Sequence, residues 1–394
     1  MKGKKLLILI YLFPFLFHSF GQGVDHDYEL VEVPSELKSN FLFMATDMVL
    51  SPNQKYIAIS NQQNGPIILW DWEKKSIYKE YEVNGYPAGS TLTFSPDGKF
   101  LLIRQIKHFL DFSANTDQGT KLELLDLSTG EIIFRKNKIN DACFVGESNR
   151  LAILDGNNIS IYAIDRAVNL TSDLTKETTT TSTKIRVKDA RNCIAISPDG
   201  KTLITPRKLT KDDFKNKPKP KSKRDKNAQK YAIKYQYTLD YYDLESQKYL
   251  FSTNENYEII FELNFLNEGK DLIVFSKANV YAQSRSTYGI LDLLNAKTGD
   301  MKRVSYTSYA IYPDYSQSPN GKLFGLITND TDNWSSSGSV LWYNYETGNS
   351  IGKFDVDLRF KERLKTNTKT FFAFLPDGKI IASYGNKLAY ITIN

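Results

Sequence analysis

Hydrophobic and polar residues alternate along this chain in short runs that a recurring turn separates. Two such runs are Thr91 to Phe94 and Phe100 to Ile103, and Ser95-Pro96-Asp97-Gly98-Lys99 joins them. Alternation with a period of two indicates half-buried β-strands. Pro, Asp and Gly in this order favour a tight turn in which Gly98 has a positive φ. The stretch therefore predicts a β-hairpin.

The same hairpin recurs along the whole chain. The other copies occupy residues 50–55, 145–150, 196–201, 265–270, 317–322 and 374–379. Each copy except the last is followed by two more alternating segments that predict strands. In most units a turn such as Ser128-Thr129-Gly130 joins these two segments. Seven units of four strands, repeated at intervals of 44 to 69 residues, predict an all-β fold. That fold is a single seven-bladed β-propeller with four-stranded antiparallel blades.

The last unit has only three strands before the chain ends. One unpaired run, Glu29 to Val33, precedes the first hairpin. We expect this N-terminal strand to complete the last blade and close the ring, because closure removes exposed sheet edges.

The topology of a propeller sorts its loops onto two faces. One face carries the first-to-second and third-to-fourth turns; we call it the short-turn face. The other carries the second-to-third and blade-to-blade connections; we call it the long-loop face. Sequence spacing assigns the long segments 104–120, 168–190, 205–236, 276–287, 305–313, 328–338 and 357–368 to the long-loop face. Function is therefore expected there.

Trp70-Asp71 at a strand end and the repeated Ser-Pro-Asp-Gly-Lys turns resemble bacterial WD-repeat-like propellers, including the propeller half of the TolB type. The resemblance covers residues 28–394. It implies the fold, whereas propellers of this kind serve as scaffolds, ligand binders and enzymes. The chain departs from the pattern because its Trp-Asp pair occurs once and no Gly-His pair begins a blade.

Residues 1–21 have the features of a secretory signal peptide. Lys2, Lys4 and Lys5 precede an apolar run from Leu6 to Phe17, and a cleavage site follows at Gly21. We expect export to the periplasm, the outer surface or the medium, with 22–394 forming the propeller; an uncleaved anchor is the alternative. No second apolar run has the length of a transmembrane span.

Candidate chemistry is sparse. Beyond the leader the chain keeps only His26 and His108, and it has no known nucleophile or phosphate-binding motif. We therefore assign no catalytic residue, metal or cofactor. Cys143 and Cys193 are expected to be buried free thiols because their offsets from the turn differ by one; a disulfide is the alternative.

The formal charge of +6 is unevenly distributed. The stretch 215–230 carries +7, and without it and the leader the rest carries −4. We expect the insert 205–236 in blade 4 to be a flexible basic loop. Its stretch 215–224 should be extended and mobile, because alternating Lys and Pro can neither pack nor form a helix. Its candidate binding residues are Lys217, Lys219, Lys221, Lys223 and Arg224. These residues could bind an anionic component of the cell envelope, such as a glycan or lipopolysaccharide. The alternative is that they belong to a solvated loop without a binding role. A nucleic-acid partner is not expected, because the protein is predicted to be exported and because no aromatic residues are interleaved with the basic ones to stack on bases.

A second candidate set combines aromatic and polar residues in the loops of blades 5 and 6. It consists of Tyr281, Arg285, Tyr309, Tyr312 and Trp334. Such a set is typical of a platform for a sugar or a peptide, and covering the blade edges is the alternative.

Two functions remain open from the sequence. The first is a monomeric, non-enzymatic binding or scaffold module that contacts a protein or an anionic envelope component through its long-loop face. The second is a hydrolase or lyase with a carboxylate or cation site in the central channel. Converging channel carboxylates with a cation would favour the enzyme, and a basic aromatic rim over a plain channel would favour binding.

Overall fold

The computed structural model describes residues 26–34, 43–83, 85–86, 89–105, 120–164, 184–187, 193–215, 217–277, 289–307, 315–329, 338–356, 370–384 and 387–393. The predicted signal peptide lies outside these residues, as do Tyr281, Arg285, Tyr309, Tyr312 and Trp334 of the aromatic set.

The described residues form strands with the lengths that the alternating runs predict. In chain order they are β1 (Tyr28–Glu32), β2 (Ala45–Leu50), β3 (Tyr56–Asn61), β4 (Ile67–Asp71), β5 (Ser76–Tyr81), β6 (Ser90–Phe94), β7 (Phe100–Gln105), β8 (Thr120–Asp126), β9 (Ile132–Ile139), β10 (Asp141–Phe144), β11 (Arg150–Asp155), β12 (Asn158–Ala163), β13 (Lys184–Arg186), β14 (Ala195–Ile196), β15 (Thr202–Lys208), β16 (Tyr237–Asp243), β17 (Lys248–Ser252), β18 (Ile260–Leu266), β19 (Asp271–Lys277), β20 (Gly289–Asn295), β21 (Met301–Thr307), β22 (Tyr315–Gln317), β23 (Leu323–Asn329), β24 (Gly338–Asn344), β25 (Ser350–Val356), β26 (Phe372–Phe374), β27 (Ile380–Tyr384) and β28 (Lys387–Ile391). One α-helix, α1 (Lys223–Tyr235), and 3-10 turns at Asp212–Phe214 and Asn267–Gly269 accompany them.

These strands pair into seven four-stranded antiparallel sheets, which confirms the predicted seven-bladed propeller. Blade 1 is β2–β5, and each later group of four strands forms the next blade up to β22–β25 in blade 6. Blade 7 consists of β26–β28 and β1. The first strands are innermost, since β2 contacts both β6 and β26, and β14 contacts both β10 and β18.

The N-terminal strand closes the ring as predicted. β1 pairs with β28 from Tyr28 opposite Ile391 to Glu32 opposite Lys387. The two sides of this closure are also joined by the Trp-Asp motif: buried Trp70 of blade 1 donates from Nε1 to the hydroxyl of Tyr390 in blade 7 over 2.6 Å. The first and last parts of the chain therefore share one core.

The recurring turn is held by its own side chains. Ser95 Oγ donates to Asp97 Oδ1 (2.8 Å) and accepts the Phe100 amide (2.9 Å), while the Gly98 amide donates to the Ser95 carbonyl (2.8 Å). This network explains why Ser and Asp recur. The predicted positive φ is confirmed at Gly98 (69°), and also at Gly200, Gly321 and Gly378.

The structure corrects two expectations about loops. In blade 3 we expected the long segment 168–190 on the long-loop face. Instead a two-residue turn joins β11 to β12 there, and the long connection links the ends of β12 and β13 that lie on the short-turn face. In blade 4 the insert begins after β15 and contains α1, whereas we expected a flexible loop over 205–236 that is extended and not helical over 215–224. The cysteines are free, as expected; Cys193 is buried and Cys143 is partly buried.

Deleting residues 22–34 should destabilise the protein by several kcal/mol. The deletion leaves the backbone of β28 unpaired and exposes core that Val33 covers. Urea unfolding measures the loss, and deletion of 22–25 alone serves as the control. An unchanged free energy of unfolding for the longer deletion would contradict closure by β1.

Replacing Gln54 with Gly should raise the free energy of unfolding. Gln54 occupies the position of Gly98 in the first hairpin, donates to Ser51 in the same way, and has a φ of 60°. Glycine removes the strain of the left-handed backbone at this position, but it also gives the unfolded chain more conformational entropy. The net gain in the free energy of unfolding should be about 0.5–1 kcal/mol. Gly98→Ala should lower stability by about 1 kcal/mol through strain, since its Cβ would meet only an ordinary contact 3.7 Å from Pro52. Equal effects of both variants would contradict this assignment.

Candidate functional site

Three acidic residues occupy the same position on the first strands of blades 1, 3 and 5. The strand register makes Asp47, Asp141 and Glu262 equivalent. Each first strand begins where its second strand ends, so these positions lie toward the long-loop end of the channel.

Asp47 is fixed by backbone donors from two blades. Its Oδ1 accepts the Met48 amide at 2.8 Å, and its Oδ2 accepts the Leu92 amide of blade 2 at 2.6 Å. A register shift between Ala45 and Asp47 accompanies this arrangement. Such bulges commonly redirect a side chain, and a similar shift lies between Ile260 and Glu262 in blade 5.

Arg104 is the cation among these acids. Its Nη1 donates to Asp141 Oδ1, and Asp141 Oδ2 accepts the Ile194 amide of blade 4 at 2.8 Å. Arg104 Nε is buried and has no hydrogen-bond partner. Asp141 is therefore fully satisfied, whereas one donor of Arg104 remains available.

Glu262 completes the group from the other side of the ring. Its Oε1 accepts the hydroxyl of Tyr315 in blade 6 at 2.9 Å. The charge of Glu262 acts on both Asp47 and Arg104. Since other blades lie between blade 5 and blades 1 and 2, this interaction crosses the channel. We call Asp47, Arg104, Asp141, Glu262 and Tyr315 the channel cluster.

Burial dominates the electrostatics of the channel cluster. It raises the pKa of Asp47 to about 7, with a further increase from the charge of Glu262, against the lowering effect of the Leu92 and Met48 amides. Burial also raises the pKa of Glu262, although Arg104 opposes the shift. Burial and the charge of Asp141 raise the pKa of Cys143 well above its usual range, so its thiol stays protonated.

This arrangement offers general acid or base groups and one hydrogen-bond donor. Among the described residues no group of three or more His, Cys, Asp or Glu side chains is placed to hold a metal ion.

Helix α1 is the second feature of the long-loop face. Ser222 caps it: the Ser222 hydroxyl accepts the Asp225 amide at 3.0 Å, and Asp225 Oδ2 accepts the Ser222 amide at 3.0 Å. This capping box starts a helix directly after the Lys-Pro repeat. The expectation of an extended stretch over 215–224 fails at Lys223 and Arg224, because the Lys-Pro alternation ends before the Ser222-Lys-Arg-Asp signal.

The insert is fastened to blade 4 at its base. Arg207 Nε donates to buried Asp240 at 2.8 Å, and Arg207 Nη2 donates to Asp213 Oδ1 at 2.7 Å. Asp213 Oδ2 also accepts the amide of Thr210 at 2.6 Å. The Asp213 carboxylate is thus part of the fold, although it belongs to the insert.

The helix itself is held from its other end. Tyr231 donates to Glu258 Oε1 at 2.7 Å, and Ala232 is buried. On the opposite face, exposed lysines follow each other at helical spacing; they are Lys223, Lys226, Lys230 and Lys234. We call these four residues the lysine stripe. Within the described residues none of them forms a salt bridge.

The structure thus gathers the predicted basic residues beside the lysine stripe. Lys217, Lys219, Lys221, Lys223 and Arg224 are all exposed, the first three before α1 and the last two in its first turn. The predicted aromatic set lies outside the described residues.

Sequence reasoning missed the channel cluster, although a signal was present. In four of the seven units an acidic residue lies four positions before the first residue of the turn. These residues are Asp47, Asp141, Glu262 and Asp314. Aligning the seven units column by column would have found this position. Asp314 lies outside the described residues.

Comparison with known proteins supports the architecture alone. No protein-family model matches the chain, and no curated protein matches it. The β-propeller domain of Cps50 (Swd1) from Myceliophteria thermophila matches with a TM-score of 0.54 and 11% sequence identity, over 93% of this chain and 100% of that one. This similarity supports the seven-bladed β-propeller fold of the chain.

The described helix does not have the length or hydrophobicity that crossing a bilayer requires.

Asp47 should make stability depend on pH. Its pKa is about 7 in the folded protein against an ordinary value of 3.8, so its contribution is fully present below about pH 4 and is lost as the pH rises through about 7. In urea unfolding, the free energy of the wild type should therefore fall across this window relative to that of Asp47→Asn. Parallel curves for the two proteins would show that Asp47 titrates normally.

Proposed function

We propose that this protein is an exported, monomeric, non-enzymatic binding or scaffold module of the bacterial WD-repeat-like type. It contacts its partner through the long-loop face. The partner is an anionic component of the cell envelope, either an acidic glycan or lipopolysaccharide.

The lysine stripe is the observation that carries this proposal. Four exposed ammonium groups stand on one face of a capped helix. Three of them belong to the stretch 215–230, which carries +7, and the mature chain outside that stretch carries −4 with Lys234 included. Because Arg207, Asp213 and Tyr231 fasten the insert to the blade, the charges are presented on an ordered support. Preorganised charges lose less entropy on binding than charges on a free loop.

The predicted export supports an envelope partner over nucleic acid. A leader at residues 1–21 would bring the lysine stripe to phosphate and carboxylate groups of the envelope. Lys217, Lys219 and Lys221 extend the same charge toward the partner. The predicted aromatic residues Tyr281 and Trp334 are proposed as further contacts on this face.

Replacing the lysine stripe with glutamine at all four positions should weaken binding to lipopolysaccharide or to an acidic polysaccharide such as polygalacturonate. At roughly 1 kcal/mol for each lysine near an anionic surface, the loss should be at least about 100-fold. The remaining binding should also depend less on salt, because screening acts on exposed charges. Sedimentation or calorimetry at low and high NaCl measures both effects.

The matched control makes the same charge change on the short-turn face. Its exposed turn lysines are Lys55, Lys201, Lys297 and Lys322. Their replacement with glutamine should leave affinity and salt dependence nearly unchanged. Equal losses in the two quadruple variants would mean that net charge alone drives binding, and this would overturn the role of α1.

The channel cluster favours a second candidate, a hydrolase or lyase acting in the central channel. Raised pKa values at Asp47 and Glu262 are typical of general acids and bases. It ranks second because both oxygens of Asp47 already accept backbone amides and Glu262 Oε1 already accepts the hydroxyl of Tyr315. The Asp47 titration also bears on this candidate, since normal titration would remove its main support.

A further inference from the structure

Three other acids share one position on the third strands of their blades. The strand register makes Glu123 in blade 2, Asp240 in blade 4 and Asp292 in blade 5 equivalent. All three are buried. A buried carboxylate is costly unless a cation or hydrogen bonds compensate it, so the partners of the three acids can be compared directly.

In two of these blades the chain supplies the cation itself. Lys121 Nζ lies 2.9 Å from Glu123 Oε1, and Arg135 reaches the same oxygen from the outer strand β9. Arg135 sits directly opposite Glu123 in the register. In blade 4, Arg207 Nε lies 2.8 Å from Asp240 Oδ2. The position therefore takes ammonium and guanidinium groups.

In blade 5 the described residues at the two equivalent register positions carry no charge. The residues at the positions of Lys121 and Arg135 are Ile290 and Val304, and Val304 lies directly opposite Asp292 on β21. Asp292 is only 6% exposed, and among the residues that the structure describes its Oδ1 has no hydrogen-bond partner. The nearby charge of Glu255 adds repulsion to the cost of burial.

Two tyrosines beside Asp292 are also unsatisfied. Tyr257, in the connection that enters blade 5, feels the charges of Asp292 and Glu255, and Tyr241 of blade 4 lies next to Tyr257. Both side chains are buried. The Tyr257 hydroxyl lies close enough to Asp292 to oppose the rise that burial causes in the pKa of that carboxyl, but within the described residues neither tyrosine hydroxyl has a partner in regular hydrogen-bond geometry. Buried polar groups in folded proteins are normally paired. The unpartnered Asp292 Oδ1, the two poorly satisfied hydroxyls and the nearby charge of Glu255 therefore indicate a ligand with positive charge and N–H donors.

We propose that Asp292, with Glu255, Tyr241 and Tyr257, forms a binding site for an organic cation, namely an ammonium or guanidinium group. The cation enters across Val304 at the outer edge of blade 5. Its donors satisfy the Asp292 carboxylate and the two tyrosine hydroxyls, and its charge replaces the one that Lys121 and Arg135 provide in blade 2.

The route of entry follows from the same comparison. Arg135 is more than half exposed and nevertheless reaches Glu123, which is 1% exposed. A side chain or amine approaching over Val304, which is 41% exposed, would follow the equivalent path to Asp292. An alkyl ammonium or an arginine side chain has the apolar stem that this path requires.

The test uses the full mature chain and measures Tm with several probes at equal ionic strength. n-Butylammonium chloride represents a free amine, and an acetylated, amidated Thr-Arg-Val peptide represents a side chain of a partner polypeptide. KCl and CaCl2 represent inorganic cations. Near saturation either organic probe should raise Tm by about 2 °C or more through linkage. A stronger response to the peptide would identify a polypeptide source, and a stronger response to the amine a free ligand.

Val304→Arg provides the cation from within the chain. We expect this variant to have a higher Tm than the wild type by about 2 °C or more and to lose its response to both organic probes. The control is Ile351→Arg, which adds the same charge at an exposed apolar residue on the outer strand of blade 6. It should keep the wild-type Tm and the probe response.

Three results would overturn the proposal. They are a wild type that responds to neither organic probe, a wild type that responds to K⁺ or Ca²⁺ alone, and a folded Val304→Arg variant with a lower Tm. All three outcomes leave the lysine stripe unaffected, so this test is independent of the proposed function.

Discussion

Each blade of this protein depends on its neighbours for the burial of its apolar faces, so the ring must close. The core clusters combine residues of adjacent blades; one unites Trp70 and Ile57 of blade 1 with Leu388 and Tyr390 of blade 7. The chain begins and ends at this same blade, where β1 pairs with β28. Without that pair the two ends of the repeat would have exposed edges and faces, which are costly. The stability of each blade therefore depends on its neighbours, and we expect changes at blade 7, where the ring closes, to destabilise the protein most.

A closed ring also fixes where charge can be placed. The channel brings together residues of different blades. Asp47 and Glu262 lie on the first strands of blades 1 and 5, and Arg104 lies on the second strand of blade 2, so these three side chains influence one another despite their distance in sequence. Side chains of the third strands can be buried against the neighbouring blade. A buried carboxylate there, such as that of Glu123, requires a cation close by to compensate its charge. Repetition of the backbone therefore makes departures in side chains informative. Asp292 stands out because equivalent acids have cations.

The sequence predicted the architecture almost completely because turn chemistry and alternation are local. Ser95, Asp97 and Gly98 act on their own hairpin, and so their pattern could be recognised without a fold. The connections were less predictable. In blade 3 the short and long loops exchange faces, and residues 223–230 are helical because Ser222 and Asp225 cap the helix. The channel cluster depends on which strands face the axis, and pairs such as Arg104 with Asp141 follow from that three-dimensional arrangement.

The long-loop face thus carries two charge patterns on supports of different kinds. The lysine stripe stands on a helix that contacts the body through Arg207–Asp213 and Tyr231–Glu258. The channel cluster is built into the first strands of four blades and, through Arg104, the second strand of blade 2. An anionic partner held by the stripe would approach a channel mouth where Asp141 and Glu262 outnumber Arg104. Repulsion there would oppose deep insertion of anionic groups. If the proposed anionic partner binds the lysine stripe, this repulsion would place its negative charge over blade 4 and a neutral or cationic part over the channel.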